Sequence, residues 1–282
     1  KPGPSPRFIR RSEPKQSNPR SENDHRTGAM SLPPEDEIVV LQSTGWNKLD
    51  IPPPQETNFA ITGYESQVIT LALQTGEGVK AEPGTMMFMT GGMRPVVTYE
   101  GCCGRCCSGE ACYVVNYVNN GSKKKSYVAL TPNFPTSKVV PINMSNVGGA
   151  LITQQGAYMA SSGDVSVGVS FDCNFVRCCC GGLGLVRQKL TGTGTAFLAA
   201  TGTIVTKTLQ AGETILVDTN CVLAFSETCK LDLRRAGGIL GMLGGGEGIF
   251  NTTLTGPGLV VVQSMNQQIF LQALTANKIV RR

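Results

Sequence analysis

The stretch LQTGEGVKAEPG, Leu73–Gly84, is loosely rewritten as SNVGGALITQQG at Ser145–Gly156 and as LQAGETILVDTN at Leu209–Asn220. In each copy a glycine (Gly76, Gly148, Gly212) stands eight residues ahead of the end of a turn pair (Pro83-Gly84, Gln155-Gly156, Thr219-Asn220), and another glycine follows 33 residues later at Gly109, Gly181 and Gly245. Asn119-Asn120, Thr191-Gly192 and Thr255-Gly256 follow those glycines at a common distance. The copies lie 72 and 64 residues apart, and the extra eight residues read as a loop insertion between Lys123 and Ser137. Self-similarity at fixed spacing marks a repeat architecture. Three units are expected, at about residues 64–137, 138–202 and 203–273.

Within each unit the pattern is that of strands. Gln67–Leu73, Val139–Met144 and Thr203–Leu209 place apolar residues largely at alternate positions, and each runs into a glycine turn. Second strands pass through Met86–Met89, Tyr158–Ala160 and Val222–Phe225. Ile249–Leu254 and Leu259–Gln263, joined by Thr255-Gly256-Pro257-Gly258, read as a hairpin. With 34 glycines, 6% aromatic and 16% charged residues, the composition suits short strands and tight turns better than long solvated helices. The expected fold is all-β: a double-stranded β-helix-like or β-prism body in which three internal repeats pack around a pseudo-threefold axis and few edges stay free. Gly76, Gly84, Gly148, Gly156, Gly212 and Gly245 are its structural turns.

Charge separates a leader from this body. Residues 1–30 carry seven of the basic residues and only Glu13, Glu22 and Asp24, so +4 of the net +5 lies there and the body is nearly neutral. Residues 1–58 read as a disordered, basic, Pro/Ser-rich leader and linker ending near Pro52-Pro53-Pro54, with Glu37–Gln42 as an isolated strand. The leader's acidic residues weigh against a mitochondrial presequence. Residues 59–282 form the β-domain, long enough to bury a core without staples. No window supplies the roughly 18 apolar residues of a spanning helix; Ala236–Phe250 is short, glycine-broken and carries Glu247. A membrane surface stays open as a partner, while a neutral body whose single Trp stands outside the repeats argues against nucleic acid.

Seven of the eleven cysteines fall in two clusters, Cys102, Cys103, Cys106 and Cys107, and Cys178, Cys179 and Cys180. At the 72-residue offset Cys106 and Cys107 coincide with Cys178 and Cys179, so the clusters occupy equivalent loops. The third such loop holds Leu240, Met242 and Leu243 instead, and the plainest reading makes the thiols small hydrophobes in the same niche. Two others stay open: a four-thiolate zinc or iron–sulfur site from Cys103, Cys106, Cys178 and Cys180, and S-acylation on a membrane-facing loop. A disulfide framework is unnecessary for a body of this size. The single histidine, His25, lies in the leader, which removes Ser-His and Cys-His catalysis and His-ligated metals from the body. Glycine runs at 181–184 and 244–248 lack the ending of a phosphate loop, and Glu77, Glu110, Glu213 and Glu247 read as turn residues bonded to loop amides or water.

The motifs AEPGTMMFMTGG (Ala81–Gly92) and GGEGIFNTTLTGPGLVVVQS (Gly245–Ser264), with the paired Gly-Glu turns, resemble the family named for altered inheritance of mitochondria, number twenty-four. The resemblance covers roughly Tyr64–Ala273. It implies an all-β fold grouped with the tryptophan RNA-binding attenuator protein, no catalytic residues, and in eukaryotes a role in inner-membrane architecture and lipid composition. The expected function is therefore non-enzymatic: a β-scaffold without cofactor, mitochondrial or cytoplasmic, that self-associates or docks on a membrane surface or membrane protein. Its working face is expected at the three equivalent loops, with Cys102, Cys103, Cys106, Cys107, Cys178, Cys179, Cys180, Leu240, Met242 and Leu243. A ligand or nucleic-acid binding module and a cysteine-based metal or redox protein are the alternatives.

Overall fold

The computed structural model describes residues 44–48, 58–99, 105, 111–121, 124–171, 186–235, 250–265 and 270. After two short leading strands, β1 (Asn47–Lys48) and β2 (Phe59–Thr62), one series of six strands occurs three times. The first comprises β3 (Val68–Gln74), β4 (Gly78–Ala81), β5 (Met86–Met89), β6 (Met93–Tyr99), β7 (Tyr113–Asn119) and β8 (Lys125–Leu130). The second comprises β9 (Ser137–Asn143), β10 (Ala150–Thr153), β11 (Tyr158–Ser162), β12 (Val165–Phe171), β13 (Val186–Gly192) and β14 (Thr195–Thr201). The third comprises β15 (Ile204–Leu209), β16 (Thr214–Asp218), β17 (Val222–Ser226), β18 (Lys230–Arg235), β19 (Phe250–Thr255) and β20 (Gly258–Gln263). The fold is all-β, as the composition and alternation imply.

Each series makes two antiparallel half-sheets. The first, sixth and third strands lie side by side (β3-β8-β5, β9-β14-β11, β15-β20-β17), as do the fourth, fifth and second (β6-β7-β4, β12-β13-β10, β18-β19-β16). Alternation decides what each half-sheet turns inward: Ile69, Leu71 and Leu73 of β3 are buried while the residues between them are half-exposed. These side chains pack with Val128 and Leu130 against Val79, Ala81, Met93 and Tyr117. The cores do not respect the repeat boundaries. The first includes Met159, Ala160 and Phe197 from the second series, the second includes Leu223 and Val261 from the third, and the third includes Ile152 from the second.

The reason is that successive repeats are joined edge to edge. β4 pairs with β11 and β10 with β17, giving the orders β6-β7-β4-β11-β14-β9 and β12-β13-β10-β17-β20-β15-β1. Both junctions use one register: Ala81↔Ala160, Lys80↔Ser161 and Val79↔Ser162 in the first, Thr153↔Ala224, Ile152↔Phe225 and Leu151↔Ser226 in the second. A register shift also recurs at one place in each third strand, between Met86 and Phe88, Tyr158 and Ala160, and Val222 and Ala224. Such bulges bend a strand and raise its twist, so three at one position give the repeats one curvature. Among the described strands no pairing returns from the third repeat to the first. β18-β19-β16 and β2-β3-β8-β5 remain separate partial sheets, and the hydrogen-bonded ring of a closed prism is not made between them.

Two sequence readings are corrected. Residues 249–254 and 259–263 do not form a hairpin, because β19 pairs with β16 and β18 while β20 pairs with β15 and β17. The glycine-rich turn carries the chain from one half-sheet to the other instead. The leader also contributes to the body: β1 adds to β15, and Trp46 packs against the third core. Residues 37–42 lie outside the described residues.

The turn glycines have a conformational role. Gly76, Gly148 and Gly212 have φ of +83°, +80° and +78°, and Gly84 and Gly156 have +86° and +74°. At Gly76, Gly148, Gly156 and Gly212 an added Cβ would meet nothing within 4 Å, so backbone sign alone selects glycine there. Gly245 lies outside the described residues. Beside two of these turns Glu77 accepts from the Gln74 amide at 2.7 Å and Glu213 from the Gln210 amide at 2.9 Å. That bond, together with Lys207 at 2.9 Å, holds the Glu213 carboxyl below the usual carboxylate range. The stabilisation is therefore complete at neutral pH and is lost as pH falls through the lowered value.

Gly76→Ala and Gly212→Ala should each cost about 1–2 kcal/mol from backbone strain alone, read as a shift in the urea midpoint. Gly192→Ala should cost more than either, since its Cβ would stand 2.1 Å from the Asp164 carbonyl oxygen. Lys207→Met should raise the Glu213 carboxyl pKa toward its ordinary value in a side-chain NMR titration; an unchanged titration would remove Lys207 from the account.

Candidate functional site

The three loops singled out in the sequence are the connections between the fourth and fifth strands of each repeat. Their bases are the terminal pairs Tyr99↔Tyr113, Phe171↔Val186 and Arg235↔Phe250, so each loop leaves and re-enters a two-stranded ribbon at an equivalent point. Cys102, Cys103, Cys106, Cys107, Cys178, Cys179, Cys180, Leu240, Met242 and Leu243 themselves lie outside the described residues.

The first loop is tied down by a residue the sequence reading passed over. Arg105, 2% exposed, forms an ion pair with Glu82 and donates Nε–H to the Ala111 carbonyl at 2.7 Å. Glu82 directly follows β4 and sits where the first repeat meets the second: its N–H donates to the Met159 carbonyl at 2.8 Å, and its own carbonyl accepts from Thr85 Oγ1 at 2.8 Å. The ion pair thus fastens the loop to the inter-repeat junction. Its signal in the sequence was an arginine beside the cysteines of both loops, Arg105 before Cys106 and Arg177 before Cys178. Cys112, on the returning limb, is disulfide-bonded, and its partner lies outside the described residues. A disulfide is thus present even though a body of this size does not need a disulfide framework to fold.

The described free thiols are not activated. Burial raises the Cys221 and Cys229 pKa, with Asp218 adding to the effect at Cys221, so both are held as thiols at neutral pH. Among the described residues no group of three His, Cys, Asp or Glu side chains could hold a metal ion. Small crevices open among the described residues. One of about 210 Å³ lies among Thr85, Asn133, Phe134 and Tyr158, and one of about 160 Å³ lies beside Arg187, whose guanidinium stands 5.5 Å from the Phe225 ring centroid. Both fall short of the ~300 Å³ at which small-molecule pockets begin.

Exposed apolar side chains are the more informative surface. Among the described residues every exposed large hydrophobic except Leu216 belongs to the first repeat or the turn just before it. Most of them fall in two groups. Val96, Val97 and Tyr99 lie on β6, the outer strand of its sheet, and Tyr99 meets Tyr113 edge-on at 6.3 Å at the base of the first loop. Met86, Met87 and Phe88 lie on β5, the outer strand of another. The loop-centred reading did not find either group, because nothing in an apolar strand's own sequence says whether a neighbour covers it.

The family described as mitochondrial biogenesis AIM24 matches over residues 59–265. The chain is 29% identical over 168 residues to an uncharacterized protein of Streptococcus pyogenes serotype M6; the match takes in 59% of this chain and 64% of that protein, so less than two thirds of the relative's length is spanned. The crystal structure of a protein from Streptococcus pyogenes superposes with a TM-score of 0.61, covering 78% of this chain and 98% of that one at 23% identity, a likeness of fold.

Removing one member of the buried pair should be costly, because the other charge is left without its partner. Arg105→Ala should lower stability by about 3 kcal/mol, and the joint replacement Arg105→Met with Glu82→Leu should recover much of that loss. Denaturant unfolding of the single and double variants measures it; an Arg105→Ala variant as stable as wild type would show that the pair does not hold the loop.

Proposed function

This chain belongs to the AIM24 family of mitochondrial biogenesis, and from that premise we propose that it is a non-enzymatic scaffold that docks on a membrane surface through an apolar face and organises membrane-associated assembly. The observation that carries this reading is the exposed cluster of Val97 and Tyr99 on the outer strand β6 with Tyr113 beside Tyr99 on β7, one sheet face at the base of the first cysteine-bearing loop. Contiguous exposed apolar surface with aromatic members is a feature of interaction faces. The equivalent loop of the third repeat carries Leu240, Met242 and Leu243, which extends the same chemistry. No helix among the described residues is long and apolar enough to cross a membrane, so the docking proposed is peripheral. Family membership supports a role related to mitochondrial biogenesis, and in that setting the proposed scaffold would support inner-membrane organisation.

Energetics limit what this face does alone. Apolar area removed from water contributes about 25 cal/mol per Å², so a handful of side chains gives reversible binding. Durable attachment needs a second contribution, from an acylated loop cysteine or from several copies presenting the face together. Since the body is nearly neutral, docking should depend little on anionic lipid.

Flotation with phosphatidylcholine vesicles, with and without phosphatidylserine, tests this. The wild-type chain should float with both, Val97→Asp with Tyr99→Asp should float several-fold less, and so should Leu240→Asp, Met242→Asp and Leu243→Asp together, with unchanged melting. Full flotation of both folded variants, or none of the wild type, would reject the reading.

A further inference from the structure

The junction between repeats is built twice from one recipe, and its two halves occur a third time without each other. The second strand of one repeat pairs with the third strand of the next at β4–β11 and at β10–β17. That leaves β5, the third strand of the first repeat, and β16, the second strand of the last, as outer strands of their partial sheets among the described residues. They are the two components of one further junction, at opposite ends of the array.

Burial marks both as incomplete. Met87 is 61% exposed, whereas its equivalents Met159 and Leu223, which have a neighbouring repeat, are each 1% exposed. Ile215 and Val217 on β16 are half-buried at the margin of the third core, whereas their equivalents Val79, Ala81, Leu151 and Thr153 are buried. Leu216 between them is 62% exposed. The backbone carries the same message. Across the existing junctions the Glu82 N–H donates to the Met159 carbonyl and the Gln154 N–H to the Leu223 carbonyl. By alternation along a strand, Lys80 and Ile152 also aim their amides across the junction, and their equivalent on β16 is Leu216. The equivalent of Ser161 and Phe225 on the facing strand is Met89.

We propose that β16 of one copy pairs antiparallel with β5 of a second copy in the register Phe88↔Val217, Met89↔Leu216 and Thr90↔Ile215. The contact completes the third six-stranded order as β18-β19-β16 joined to β5-β8-β3 of the neighbour, and it places Met87 against Ile215 and Val217 as Met159 lies against Val79 and Ala81. The occupant is a second copy of this chain because, among the described residues, no other surface has the matching register, bulge and apolar side chain. Since the two edges differ, the association is head-to-tail, and repetition builds a ring or a filament rather than a twofold dimer. These strands are separate from the β6 band of the docking face.

Two variants each disable one end. Leu216→Pro removes an N–H aimed away from its own half-sheet, a change outer strands tolerate, and Met87→Asp puts a charge where the equivalents are buried. Light scattering over a concentration series should give a multi-chain mass for wild type, a single chain for each variant, and two chains for their equimolar mixture, because each variant keeps one intact end. A single-chain wild type, as when residues of the same chain cover these edges, would overturn the proposal, as would a variant that keeps the wild-type mass. As a check that does not rest on either variant folding, copies carrying Met89→Cys mixed under mild oxidation with copies carrying Leu216→Cys should yield an 89–216 cross-link by peptide mass spectrometry. Absence of that cross-link would equally overturn it.

Discussion

Every strand has two edges of backbone amides and carbonyls, and leaving either dry and unpaired is costly. In this chain no repeat satisfies that demand alone. The second strand of the first and of the second series lies at the border of its half-sheet and finds its other partner in the following repeat, so β4 is completed by β11 and β10 by β17. The single register of both junctions, the bulge repeated at Met86, Tyr158 and Val222, and the sharing of core residues between neighbours all follow from this one requirement. The Arg105–Glu82 pair depends on it too, for Glu82 is held in place by the bond its N–H makes to Met159.

Much of this was legible in the chain, because glycine at positive φ is a demand that few other residues meet. Gly76, Gly148 and Gly212 stand out for that reason, and their intervals mark the repeats before any strand is assigned. What glycine does not encode is the destination of the chain after a turn. Thr255-Gly256-Pro257-Gly258 has the chemistry of a reversal, and a reversal between two apolar runs suggests a hairpin. The turn instead crosses from one half-sheet to the other, and β19 and β20 never pair. Pairing partners are chosen by tertiary burial, which local turn chemistry does not carry. Trp46 was missed for a similar reason: the proline run after it suggested a linker, while its ring packs on the third core.

The equivalence of the three loop positions was legible, and the chemistry at their bases only in part. Repeat spacing put the loops at equivalent points of the three repeats, and the strand pairs at their bases agree. The cysteines drew notice within those loops, although the buried ion pair belongs to the arginine among them. Exposure was the least legible property. Met87, Met159 and Leu223 are comparable apolar residues at one repeat position, and only the presence of a neighbouring repeat separates a buried side chain from an exposed one.

The sharing of core residues also governs how the molecule comes apart. Met159, Ala160 and Phe197 complete the first core, Leu223 and Val261 the second, and Ile152 the third, so melting one repeat opens a cavity in another. Many solenoids unravel unit by unit because their units touch only through interfaces. Here the units interpenetrate, which couples their unfolding into one cooperative event and makes the smallest piece with a finished interior longer than a single repeat. Protease cuts at the repeat boundaries would therefore release no stable fragment, even though those boundaries are the plainest punctuation in the sequence.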